Sequence, residues 1–117
     1  MSELRQTGRL LTGVVVDGVR HCDFELRLPT VQDNIDAVDE VGSHNAVALG
    51  AAILARQLVK LGTLKADQIT CERVASLHPS DYNQLEAAAS ELEKKRLAAA
   101  QQEPTGSASG SGLSVPA

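Results

Sequence analysis

Leu10-Leu-Thr-Gly-Val-Val-Val-Asp-Gly-Val-Arg-His-Cys-Asp-Phe-Glu-Leu-Arg-Leu28 reads as a β-hairpin. In its second half Cys22, Phe24, Leu26 and Leu28 alternate with His21, Asp23, Glu25 and Arg27, the period-2 pattern of a strand with one buried face. Its first half, Leu10 to Val16, is aliphatic and β-branched. Asp17-Gly18 between them is a tight-turn pair, because glycine accepts the positive φ that such turns need. The register has two readings. A two-residue loop would pair Gly13 with Cys22 and set Leu11 opposite Phe24. A three-residue loop, or a bulge at Gly13, would align Val14 with Cys22 and Leu10 with Leu26. The second is favoured, since it gathers the apolar side chains on one face. A lone hairpin is marginal in water, so this one must lie on helices.

Helix signals follow at once. Pro29 ends the second strand, and Thr30 reads as an N-cap with Asp33 at the capping-box distance. Val31, Ile35 and Val38 recur at i, i+4 and i+7 as a narrow apolar stripe, and Gly42 stops the helix. Ser43 or Asn45 caps a second helix that is apolar almost all round. Val47, Gly50, Ala51, Leu54, Leu58 and Leu61 share one broad face, with Leu49 and Ile53 roughly opposite, beside Arg56 and Lys60. After a connection from Thr63 to Thr70 with no clear period, a short helix closes at His78-Pro79. Ser80 then caps a last helix with the stripe Tyr82, Leu85, Ala88, Ala89 and Leu92, the i, i+4 pair Glu91–Lys95 supporting it.

The expected fold is therefore α+β, mainly α: an N-terminal hairpin (about 9–28) on a small domain of about four helices (about 30–42, 45–61, 72–77 and 80–100). One folded domain is expected over about 1–100, followed by a flexible Gly/Ser/Pro-rich tail over 101–117.

Hydrophobic residues make up 43% of the 117, but with one Phe, one Tyr and no Trp the packing falls to aliphatic side chains. Each aromatic would bury roughly 150–250 Å². So thin a core in a small domain points to support from a partner or from self-association, and a homo-oligomer is the expectation. The net charge of −4 is carried by Thr30 to Gly42, which holds Asp33, Asp36, Asp39 and Glu40 and no basic residue. No Lys/Arg patch interleaved with aromatics appears, which argues against nucleic acid. The apolar run Ala46 to Ala55 is too short to span a bilayer. Cys22 and Cys71 leave a disulfide open. The N-terminus Met1-Ser-Glu-Leu-Arg-Gln6 lacks an apolar signal core, however, so a reducing cytoplasm is the simpler expectation.

The sequence carries few residues in patterns that suit chemistry. The four acidic residues lack calcium-loop spacing and read as a solvated helix face, with docking of a basic partner as the alternative. His21, Cys22, His44, Cys71 and His78 contain no ligand pair at zinc-finger spacing. Adjacent His21 and Cys22 would point to opposite strand faces, so Cys22 reads as a buried small hydrophobe and His21 and His78 as surface or helix-end residues. No phosphate-cradling glycine motif occurs. Neither a catalytic site nor a cofactor is expected. The candidates are for contact instead. Leu49 and Ile53, with Arg56 beside them, form a second apolar face that one thin core would not cover. Tyr82, Leu85 and Leu92 are core by default and a partner surface otherwise.

Three segments resemble a known family in order and spacing. Leu26-Arg-Leu-Pro-Thr-Val-Gln-Asp33, after a hairpin, resembles the strand-to-helix junction of tail assembly chaperones of Mu-like bacteriophages. Leu54-Ala-Arg-Gln-Leu-Val-Lys-Leu-Gly62 is similar to their second helix, and Leu77-His-Pro-Ser-Asp-Tyr-Asn-Gln-Leu85 to their closing one. His78 and the Gly/Ser-rich end depart from the pattern. The resemblance implies a protein of the infected bacterial cytoplasm that binds the tape measure protein, keeps it soluble and helps recruit the tail tube protein. The competing expectations are a minor structural or completion component of the tail, and a small adaptor for a bacterial protein.

Overall fold

A computed structural model describes residues 4–101. Its elements run β1 (Arg5–Val16), β2 (Val19–Arg27), α1 (Val31–Val41), α2 (Ala46–Gln57), β3 (Leu58–Leu61), a 3-10 turn (Ala66–Gln68), α3 (Cys71–Ala75) and α4 (Pro79–Gln101). The fold is α+β, as the sequence predicts, with the hairpin at its front. The expected tail lies, apart from Gln101, outside the described residues.

Asp17 and Gly18 take φ of 53° and 79°, the two positive values of a two-residue turn. Val16 therefore faces Val19, and Val14 faces His21 rather than Cys22. Beyond a bulge the register shifts, so that Arg9 faces Asp23, Gly8 faces Phe24 and Gln6 faces Leu26. The register of the two-residue loop holds beside the turn and fails beyond it, and the favoured register does not form. In place of one extra residue, the four residues Leu10 to Gly13 oppose Cys22 alone. This long bulge returns both Leu10 and Val14 to the core face, at 1% and 5% exposure. Gly13 makes it possible, with φ of 78° and no room for a Cβ against the His21 carbonyl.

The second helix ends short of its expected boundary. The periodicity predicts helix to about Leu61, yet α2 stops at Gln57 and Leu58–Leu61 turns into a strand antiparallel to β2. The sheet order is β1-β2-β3. Leu58 and Leu61 fit the helical period and are buried in the strand as well, where a register shift puts both on one face, so local pattern alone does not choose the strand. The free edge of β2 does, because its backbone groups must find partners. The buried Gln57 amide extends the join by donating to the Arg27 carbonyl at 3.0 Å.

The core lies between the inner sheet face and the helices. Leu10, Phe24, Leu26 and Leu61 meet Leu54, Leu85 and Leu92 there. Helix α4 packs along β1, α3 packs on α2, and α1 packs on α2. The cap of α4 is His78 rather than Ser80: its Nδ1 accepts from the Ser80 N–H at 3.0 Å, with Pro79 as the first helical residue. On the exposed face of α4, Glu91 pairs with Lys94 at i+3, not with Lys95.

Helix α1 is the least expected in its orientation. Asp33 leaves the solvated acidic face the sequence suggests. It is 7% exposed and takes two 2.8 Å hydrogen bonds from Arg27 and one of 2.7 Å from the Thr30 N–H, completing the capping box. The Arg27 guanidinium first, then the Thr30 N–H and hydroxyl, hold this carboxyl at about 2 against the opposing effect of burial. Its ordinary value is 3.8, so the folded state binds fewer protons, and the stabilisation is present above about pH 4 and lost as pH falls toward 2. Asp33→Asn is expected to lower unfolding stability by about 2 kcal/mol at neutral pH. Urea unfolding across pH should show that deficit narrowing between about pH 4 and pH 2; a deficit constant with pH would contradict the pairing.

Candidate functional site

The helices leave an open groove of about 360 Å³ where α2, α3 and α4 meet. Val47, Ala48 and Ala51 of α2 form one wall, Val74, Ala75 and Leu77 another, and Pro79 and Tyr82 the third. None of the lining residues is charged. Small side chains keep the floor open, and Val47, 71% exposed, stands at the rim. Asn45 caps α2 at the groove's mouth, accepting from the N–H groups of Val47 and Ala48 at 3.1 Å each.

Tyr82 crosses from α4 toward α2 because position 50 is glycine. A Cβ there would stand 2.6 Å from the tyrosine hydroxyl. Burial first, then the neighbouring Glu86 carboxylate, pushes the Tyr82 phenol above its ordinary value. It stays protonated, a hydrogen-bond donor beside an apolar floor. Such a site can take an aliphatic side chain and one polar anchor, at about 25 cal/mol per Å² of apolar surface covered.

A larger hollow, about 430 Å³, lies on the outer sheet face among Thr7, Arg9, Asp23, Glu25 and Lys60. Three of its four charges are already paired: Arg9 with Asp23 at 2.8 Å, and Glu25 with Arg5 at 3.3 Å. The groove is the better candidate.

The sequence-derived candidates separate in space. Tyr82 lines the groove. Leu85 and Leu92 are fully buried at 0% exposure and offer no surface to a partner while the chain is folded. Arg56 pairs with Glu40 at 2.8 Å and donates to the Ala52 carbonyl at 3.0 Å. That side of α2 therefore faces α1. Leu49 and Ile53, within about 60° of Arg56 around the helix, are half-buried on that same side. The second apolar face thus lies on the side where this chain's own α1 packs.

The remaining nucleophilic and ligating side chains have structural work. Both cysteines are free thiols. Cys22 is buried and donates to the Thr12 carbonyl at 3.6 Å. Burial first, then the Glu40 carboxylate, pushes the Cys71 thiol up, leaving it a poor nucleophile. His21 is not a surface residue: at 5% exposure its Nδ1 accepts from the Thr63 N–H at 3.1 Å. Among the described residues no group of three His, Cys, Asp or Glu side chains is placed to hold a metal ion, and no helix is long and apolar enough to cross a membrane.

Two features escape the sequence. One is the groove itself, built by α3, whose position no periodicity reveals. The other is Asp81, an acidic residue in the first turn of α4. Its carboxylate is wholly buried and accepts the backbone N–H groups of Thr12 at 3.2 Å and Gly13 at 2.7 Å. Compared with known families, curated proteins and solved structures, the chain finds no match.

Tyr82 is the only tyrosine and there is no tryptophan, so alkaline absorbance titration reads this site alone. The midpoint is expected above the ordinary value of about 10, and Glu86→Gln is expected to lower it. A midpoint at or below the ordinary value would contradict the packing of Tyr82 over Gly50.

Proposed function

We propose that this chain is a protein-binding module that acts as a tail assembly chaperone of a Mu-like bacteriophage in the infected bacterial cytoplasm. It takes exposed apolar helix faces of the tape measure protein, keeps that long chain soluble, and yields to the tail tube protein during assembly. The observation that carries the reading is the uncharged groove between α2, α3 and α4, rimmed by the exposed Val47 and the half-buried Tyr82. A partner side chain can enter it with no charged group to desolvate.

The family resemblance adds support at two of its three segments. Leu26 to Asp33 is the strand-to-helix junction with its capping box, and Leu77 to Leu85 is the start of the last helix. The middle segment, Leu54 to Gly62, is helix only to Gln57 and strand from Leu58, a departure from the helix the resemblance implies. A shallow, weakly polar groove suits a chaperone, since a modest area covered per copy permits release.

Co-expression with the tape measure protein of the same phage tests the proposal. The tape measure protein is expected in the soluble fraction with this chain and in the pellet without it. Val47→Asp, at a position open to water, is expected to leave folding intact and return the partner to the pellet. If solubility is the same with and without the chain, the chaperone reading fails. Stoichiometric recovery of the chain in purified particles would favour a structural tail component instead.

A further inference from the structure

Helix α1 turns its most apolar side outward. Val31, Ile35 and Val38 are 74%, 48% and 39% exposed and form one stripe along the helix. The side turned to the protein holds Ala37 and Asp33 instead. Bonds from other elements fix that choice. Arg27 grips Asp33 from β2, the capping box sets the first turn, and Arg56 clasps Glu40 from α2. A helix oriented by burial alone would hide the stripe and show Asp33; this one is held the other way.

The charges around the stripe identify what covers it. Asp39 lies on the flank of the stripe, about 80° around from Val31, and the half-buried Asp36, which accepts from Gln32 Nε2 at 2.8 Å, lies behind it at about 140°. Among the described residues neither has a basic partner within 4 Å. The helix Val31–Val41 contains no Lys or Arg at all. A second copy docking through the same face would set these carboxylates against their equivalents, with repulsion in place of pairing.

We propose that the outer face of α1 docks an amphipathic helix of another protein, one whose aliphatic stripe is flanked by Lys or Arg. Its aliphatic side chains cover Val31, Ile35 and Val38, and its cations meet Asp36 and Asp39. Apolar cover gives the affinity and the carboxylates set the orientation. This face lies on the side of α2 away from the groove, since Ala51 and Arg56 are about 140° apart around that helix. The proposal goes beyond the groove reading and fails separately from it.

The probes are two fluorescein-labelled synthetic peptides of about 20 residues, with the same leucine stripe and either Lys or Glu on its flanks. Each is titrated with the full chain and followed by fluorescence anisotropy at low and high salt. The Lys peptide is expected to bind at least about tenfold more tightly than the Glu peptide, the gap shrinking as salt rises. Ile35→Gln is expected to weaken the Lys peptide by about tenfold with helical circular dichroism unchanged. The double variant Asp36→Lys/Asp39→Lys is expected to reverse the preference between the peptides. Equal binding of the two peptides, or an Ile35→Gln variant that binds as the parent does, overturns the proposal. Loss of the Lys peptide in Val47→Asp would move it to the groove and also overturn it. So would sedimentation showing Ile35-dependent dimers, which would make the occupant a second copy.

Discussion

One buried carboxylate holds the two halves of this protein together. Asp81 sits in the first turn of α4, and its oxygens receive the backbone N–H groups of Thr12 and Gly13 from the bulge of β1. Without it the bulge would leave those part-buried donors with no strand to pair with, and hydrogen bonds left unmade there are costly. Gln84, one turn on, accepts from the Leu11 N–H at 2.9 Å and donates to the Arg9 carbonyl at 3.1 Å. Lys95 reaches the Arg5 carbonyl at 3.2 Å. Side chains of one helix thus take the place of a neighbouring strand along β1. The open edge of the sheet is covered rather than left as a template for aggregation.

This polar seam explains how a core with one phenylalanine closes. The aliphatic side chains of Leu10, Val14, Leu85 and Leu92 bury well but carry little directional information. The hydrogen bonds along β1 supply the direction: they fix where α4 lies and therefore which of its faces is inner. The same division of labour recurs at α1, where the Arg27–Asp33 and Arg56–Glu40 pairs set the rotation of the helix. At both places polar groups decide orientation, and at α1 they do so against the preference of the apolar stripe.

That division also marks what the sequence makes legible. Turn chemistry and period identify the hairpin, its Asp17-Gly18 turn, the Thr30 capping box and all four helices. Register is not legible, because a four-residue bulge is stabilised by Asp81, a residue 68 or more positions away. Leu58–Leu61 reads as helix because Leu58 and Leu61, three apart, fit the helical period; as a strand they share a face only through the register shift beside Leu58, on the free edge of β2. For the candidate site, Tyr82 is legible as a candidate, and it lines the groove. Leu85 and Leu92 on the same stripe are not distinguishable from it until α4 is set against the sheet. The exposed side of α1 is hidden for the same reason: an amphipathic stripe says which face is apolar, not which face an ion pair will turn inward.

The dependence of the fold on the Asp81 seam is open to a direct measurement, amide hydrogen exchange at Thr12 and Gly13 in the parent and in Asp81→Asn. In the parent both amides should exchange slowly despite lying on an edge strand. In Asp81→Asn they should exchange freely, and global stability should fall by about 2–4 kcal/mol. Protection that persists in the variant, with stability within about 0.5 kcal/mol of the parent, would show that aliphatic packing alone places α4 and that the polar seam is incidental.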